Sequence, residues 1–209
     1  MPLYKEIILK DNAKLHLWKI TEDSAELHRA VKLNTSSQNR VDAMKSVSHQ
    51  KGFLAVRMLL QHIGYTDFDL YYDAFGKPHL TDGKCISISH SHTFSAIAIS
   101  DQPIGLDVEQ VKEKILKIAS RFMDVSHLNN LSEIEKRIKA TVIWGIKESI
   151  FKIKNIEGIS FQNHIFEEDF SFEDKKASAM LKHENKEENF DILFDSLEDY
   201  IFVCAFEKQ

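Results

Sequence analysis

The sequence predicts an α+β chain built as a pseudo-dimer of two similar halves, each a helix packed on a small, mainly antiparallel sheet. Three observations point there. Residues 85–100 and 190–206 both read as strand, polar turn, strand, and both end in small and apolar alternation, Ala96-Ile97-Ala98-Ile99 in one and Val203-Cys204-Ala205-Phe206 in the other. Each hairpin follows a long helix by a few tens of residues. The apolar residues of these helices recur at three- and four-residue intervals: Phe53, Val56, Leu59, Leu60 and Ile63 in the first, Ile143, Ile146, Ile150 and Ile153 in the second. Between the halves lies an apolar strand carrying two carboxylates, Ile104-Gly105-Leu106-Asp107-Val108-Glu109. The expected domains are therefore residues 1–104 and 105–209, with the acidic strand at the joint, where clefts commonly form.

Each element has its own justification. Leu3 to Leu9 and Leu15 to Trp18 read as a hairpin turning at Asp11-Asn12-Ala13-Lys14. Thr21-Glu22-Asp23 offers capping oxygens for a helix running toward Leu33, Asn34 to Gln38 reads as a polar break, and a second helix is expected from about Val41 to Ile63, stopped by Gly64. Arg40, Lys45, His49, Lys51 and Arg57 form its basic flank, an ordinary solvated face or a surface for an anionic ligand. Asp73 to Pro78 is a loop containing Phe75-Gly76-Lys77-Pro78. It leads to the strand Cys85 to Ser89, in which Cys85, Ser87 and Ser89 share one face and Ile86, Ile88 and His90 the other. Helices are expected over 113–123 and 132–154, followed by strands around Ala177 to Leu181, Phe190 to Phe194 and Tyr200 to Phe206, with a charged hairpin tip at Lys182 to Glu188.

Composition narrows the function classes. Among 209 residues, 43% are hydrophobic and 28% charged, ordinary for a globular chain and against disorder. A net charge of -5 gives no general reason to expect nucleic-acid binding. Cys85 and Cys204 both sit in apolar runs, as small hydrophobes do, which suits a reduced, cytoplasmic setting. Met1 to Lys10 lacks the basic and apolar regions of a leader, and no run approaches a membrane span, so neither secretion nor membrane insertion is expected.

Three features carry chemistry. Alternation along the strand sends Asp107 and Glu109 to one side and Leu106 and Val108 to the other. Paired carboxylates repel unless a metal, a proton or basic groups neutralise them, and hard oxygen donors suit Mg2+. In the long helix, Trp144, Glu148 and Lys152 stack at intervals of four with Lys147 beside them, lining a face away from the isoleucines. Ser89-His90-Ser91 at a hairpin turn can offer hydroxyl, imidazole and backbone donors to a phosphate.

Taken together, Phe75-Gly76-Lys77-Pro78, Ile88-Ser89-His90-Ser91, Gly105-Leu106-Asp107-Val108-Glu109 and Trp144-Gly145-Ile146-Lys147-Glu148-Ser149-Ile150-Phe151-Lys152 resemble the 4′-phosphopantetheinyl transferase superfamily, in its surfactin-synthetase-activating type with two similar halves. The resemblance implies an enzyme that moves the phosphopantetheine arm of coenzyme A to a serine of an acyl or peptidyl carrier protein and releases adenosine 3′,5′-bisphosphate. It implies that Asp107, Glu109 and Glu148 hold Mg2+, with Glu148 also accepting the serine proton. Lys152, His90 and Ser89 would meet the pyrophosphate, and Gly76, Lys77 and Pro78 would lie along the adenine on the N-terminal, nucleotide side. Where relatives commonly carry paired basic residues, this chain has Ser48-His49-Gln50-Lys51, which leaves Arg40, Lys45, His49 and Lys51 as candidates for the 3′-phosphate. The mixed segment Val111 to Met123, with Lys112, Lys114, Lys117 and Arg121 among Ile115, Leu116, Ile118 and Phe122, is either a carrier-docking helix or an ordinary amphipathic helix whose apolar residues face its own core. The chain is expected to act as a monomer. A metal-dependent phosphodiesterase, or a silent carrier-binding relative, is the alternative.

Overall fold

A computed structural model describes residues 3–208. Met1, Pro2 and Gln209 lie outside the described residues, and with them the first two positions of the stretch read as lacking a leader. The chain divides into two compact units, one ending at Gln102 and the other beginning at Pro103. Each is a long helix packed on an antiparallel sheet.

In the N-terminal unit, β1 (Lys5–Ile8) and β2 (Lys14–Lys19) pair with Ile8 opposite Lys14 across a short 3-10 turn, Lys10–Asn12. A capping box between Asp23 and Glu26 starts α1 (Ser24–Ala30). The expected polar break at Asn34 to Gln38 is instead the start of α2 (Thr35–Ala43). Asn34 caps it by accepting from the Ser37 amide, so a residue that reads as a breaker acts here as an initiator. The true break falls at Met44–Ser46, and the single helix expected from Val41 is replaced by α3 (Val47–His62), capped by the Ser46 side chain. Gly64, at φ +91°, closes α3 by letting the Tyr65 amide turn back to the Leu60 carbonyl.

The hairpin β3 (Leu70–Tyr72) and β4 (Pro78–Leu80) stands apart from the main sheet. The latter adds β5 (Cys85–Ser91) and β6 (Phe94–Ser100) in the order β1-β2-β6-β5. The α3 side chains Phe53, Val56, Leu59 and Leu60 meet Trp18, Ile86 and Ile97 in one core.

In the C-terminal unit the acidic strand is β7 (Ile104–Gln110). The helix expected over 113–123 is two 3-10 turns, Glu113–Lys117 and Ala119–Arg121. Beyond them Phe122 and Met123 bury with Ala140 and Ile143 in a small separate core. A Ser132/Glu135 capping box opens α4 (Glu133–Lys154), and Asn155 in the left-handed region closes it. There follow α5 (Phe161–His164), β8 (Ile165–Glu167), β9 (Lys176–His183), β10 (Lys186–Leu197) and β11 (Tyr200–Glu207). The sheet order is β7-β11-β10-β9-β8, antiparallel throughout. The charged tip resolves to Glu184 and Asn185, both at positive φ, the geometry a two-residue hairpin turn demands. As the periodicity predicts, Ile146, Ile150 and Ile153 bury against Phe190, Ile192, Val203 and Ala205. Cys204 is fully buried in β11, where desolvation pushes its thiol pKa up, while Cys85 is half-buried.

Candidate active site

Asp107 faces α4, as its register partner Val203 does, and this close approach depends on two glycines. A Cβ on Gly105 would fall 1.8 Å from the Ser149 carbonyl oxygen, and one on Gly145 would fall 2.4 Å from the Val203 side chain and 3.8 Å from Asp107 Oδ2. Backbone therefore meets backbone where the acidic strand passes the helix. Gly105→Ala is expected to destabilise the chain by about 3 kcal/mol, at the upper end for overpacking, because the obstacle is main chain and cannot rotate away. A thermal melt checks it, and a melting temperature equal to that of the unsubstituted chain would show that the helix can back off.

Within this contact Lys152 Nζ donates to Asp107 Oδ1 at 2.9 Å and to the Leu106 carbonyl at 2.7 Å. Asp107 is only 5% exposed. Glu148 lies one turn beyond Gly145 on α4. Burial first, then the negative charges of Asp107 and Glu109, push its pKa up to about 7, although Lys152 opposes them. The three carboxylates and Lys152 thus form one electrostatic unit. Among the described residues, no group of three His, Cys, Asp or Glu side chains is gathered tightly enough to hold a metal ion as it stands. The donor types are those a hard divalent cation takes: three carboxylates whose charges reach one another, with Lys152 paired to one of them.

Two companions in the sequence motif are placed elsewhere. Trp144 packs edge-on against Phe122 and Phe161 and belongs to the small core. Lys147 does not line the face with Glu148. It is 2% exposed, and its ammonium is bound to the Ile165 carbonyl and the Glu167 carboxylate. The reason is angular: neighbouring helix residues project about 100° apart, which carries Lys147 toward β8.

In the N-terminal unit, His90 lies against α3, its ring 3.0 Å from where a Gly52 Cβ would stand and 6.1 Å from the His49 ring. Ser89 is buried on the opposite face of β5 from His90. The Gly76-Lys77-Pro78 loop is organised by a residue that the sequence reading did not single out. Asp73 accepts from the amides of Phe75 and Lys77, both at 2.9 Å, and faces His79 Nε2 at 3.1 Å, bonds that hold its carboxyl below the ordinary range. Gly76, at φ +81°, completes the turn. An Asp two residues before an aromatic-Gly pair is the signal that could have found it.

Arg40 reaches this hairpin, with its guanidinium 5.2 Å from the Tyr72 ring and 5.5 Å from Phe53, and Tyr72 pairs with Pro78. Lys45 is exposed between α2 and α3, and Lys51 is half-buried on α3. Arg57, expected on the solvated flank, is instead 2% exposed and bonded to Asp67 at 2.9 Å.

The chain is similar to curated proteins over part of its length. The chain is 28% identical over 122 residues to the 4′-phosphopantetheinyl transferase gsp of Aneurinibacillus migulanus, covering 54% of this chain and 49% of the relative. It is 34% identical over 83 residues to the 4′-phosphopantetheinyl transferase Sfp of Bacillus subtilis, covering 37% of each. Over these stretches the chain is similar to 4′-phosphopantetheinyl transferases. A third such transferase, psf-1 of Bacillus pumilus, is 33% identical over 98 residues, covering 46% of this chain and 41% of the relative. The chain spans half or less of the length of these curated phosphopantetheinyl transferases. No family model matches it. Among the described residues no helix is long and apolar enough to cross a membrane.

Proposed function

We propose that this chain is a 4′-phosphopantetheinyl transferase that moves the phosphopantetheine arm of coenzyme A to a serine of an acyl or peptidyl carrier protein. The observation that carries the reading is the unit formed by Asp107, Glu109, Glu148 and Lys152 on β7 and α4, in a chain whose relatives bear that name. In the reaction the serine oxygen bonds to the β-phosphorus of coenzyme A. The bond from that phosphorus to the bridging oxygen breaks, and the electron pair leaves on adenosine 3′,5′-bisphosphate. Such a transfer needs positioning and charge neutralisation more than covalent help.

Asp107, Glu109 and Glu148 would hold Mg2+, which when bound supplies positive charge to the pyrophosphate oxygens. Lys152, already poised against Asp107, adds a second cation. Glu148, the carboxylate of the set that α4 carries, would also take the serine proton. In the N-terminal unit the Gly76-Lys77-Pro78 turn that Asp73 braces would lie along the nucleoside, and His90 would meet the phosphate.

The direct test is to incubate the protein with coenzyme A, Mg2+ and carrier proteins of its source, and to weigh the carriers by mass spectrometry. Addition of phosphopantetheine to a serine is expected, and no addition to any carrier would overturn the reading. Coenzyme A recognition has its own measurement. If Arg40, Lys45 and Lys51 read the 3′-phosphate, dephospho-coenzyme A should bind more weakly by about 1.5–3 kcal/mol, the scale of charge-assisted hydrogen bonds. Lys45→Ala or Lys51→Ala should erase part of that difference in calorimetry, and equal affinity for the two ligands would return these residues to a solvated face.

A further inference from the structure

The helix α4 lies across the five-stranded sheet and is tied by a lysine at each edge. Lys152 holds β7 through Asp107 Oδ1 and the Leu106 carbonyl. Lys147 holds β8, at the opposite edge, through the Ile165 carbonyl and Glu167. At about 100° per residue the two ammoniums flank the stripe of Ile146, Ile150 and Ile153 on either side, and Glu148 lies about 40° from Lys152.

We propose that the buried Lys147–Glu167 pair is a positioning device that sets the rotation of α4 about its axis and so aims Glu148 and Lys152 at the acidic strand. The inference rests on the transferase reading of those two residues. Three observations support it. Apolar burial is non-directional, so the isoleucine stripe alone permits the helix to roll, whereas two hydrogen bonds to β8 do not. A roll of about 20° would carry a carboxylate at the helix surface by about 2 Å, and misplacement by about 1 Å already costs on the order of a hundredfold in rate. Finally, stability does not require a pair of charges here: Lys147 and the Glu167 carboxylate are both almost fully buried, at 2% and 4% side-chain exposure, and such pairs are commonly matched or exceeded by apolar residues of similar volume. What an apolar pair cannot supply is direction. His127 Nδ1, 3.2 Å from the other Glu167 oxygen, braces the acceptor from outside.

The pair touches no substrate, so its test needs more than turnover. In Lys147→Met/Glu167→Leu, both charges leave together and neither is stranded. The expected result is a melting temperature equal to or above that of the unsubstituted chain. With it should come loss of the 2.9 Å Lys152–Asp107 contact in a crystal structure, and a kcat lowered tenfold or more at an unchanged KM for coenzyme A. Lys147→Arg, which keeps a donor for both partners, should recover most of kcat. Retention of the Lys152–Asp107 contact together with kcat within twofold would overturn the proposal. Should the double substitution fail to fold, Glu167→Gln, which keeps the volume and an acceptor, faces the same two criteria. If the unsubstituted protein modifies no carrier, the transferase reading fails by itself, and the crystallographic contact still decides whether the pair positions the helix.

Discussion

Asp107→Ala is expected to lower phosphopantetheine transfer by about a thousandfold while leaving the fold intact. The activity loss follows from removing one of three carboxylates together with the partner that holds Lys152, comparable to deleting a preorganised charge-stabilising group. The stability side follows from Glu148. Its folded pKa of about 7 stands above the ordinary 4.5, so between these values the folded chain binds more protons than the unfolded one. The favourable contribution is complete below pH 4.5 and is lost as pH rises through 7. Above that the ionised carboxylate costs about 2 kcal/mol after allowance for its partial exposure.

Asp107→Ala removes part of the cause, the repulsion, but not the burial, so metal-free stability at pH 8 should hold or rise slightly. Glu148→Gln removes the whole effect. It should be more stable than the unsubstituted chain at pH 8 and equal to it near pH 4.5. Urea titrations at the two pH values check the sign, and near-normal transfer by Asp107→Ala would remove that residue from the machinery.

Asp67→Ala should destabilise the N-terminal unit by about 4 kcal/mol, a large fraction of the stability of most domains. Asp67 and Arg57 are each 2% exposed. The carboxylate accepts from Arg57 Nε at 2.9 Å, from Ser37 Oγ at 2.9 Å and from the Asn34 amide at 2.8 Å, and the Asp67 carbonyl accepts from Asn34 Nδ2. Its removal strands a buried guanidinium over the Phe53 ring and loosens the cap of α2. Replacing both partners, as in Arg57→Met/Asp67→Leu, should return much of the loss, since no unpaired charge then remains. A loss of under 1 kcal/mol in Asp67→Ala would show that water reaches the site.

These two residue sets differ in how they could be read. Asp107, Glu109, Glu148 and Lys152 could be picked out as local patterns, carboxylates at strand spacing and charges at helix spacing, but it was the family resemblance that joined them into one set, and the structure brings the fields of the carboxylates and Lys152 together. The isoleucine stripe and the strand alternation placed α4 and the hairpins for the same reason. Arg57 and Lys147 were misplaced because their partners, Asp67 and Glu167, lie 10 and 20 residues away and leave no periodic trace. A hint existed in Arg57 itself, which follows Phe53-Leu54-Ala55-Val56 with apolar Met58 and Leu59 after it, no setting for a solvated side chain. Helix boundaries failed where a cap was read as a breaker, as at Asn34, since the same side-chain oxygen serves either purpose.

The pairing of β7 has a kinetic side. In the sheet order its one neighbour is β11, so the strand bearing Asp107 and Glu109 is stitched in by the last strand of the unit. Closing so long a loop is slow, because chain entropy is spent before the contacts that reward it can form. Until then the strand shows an unsatisfied backbone edge beside two negative charges. Those charges suit the waiting state: they deter other unpaired strands from docking, which is how natural sheets guard an exposed edge against aggregation.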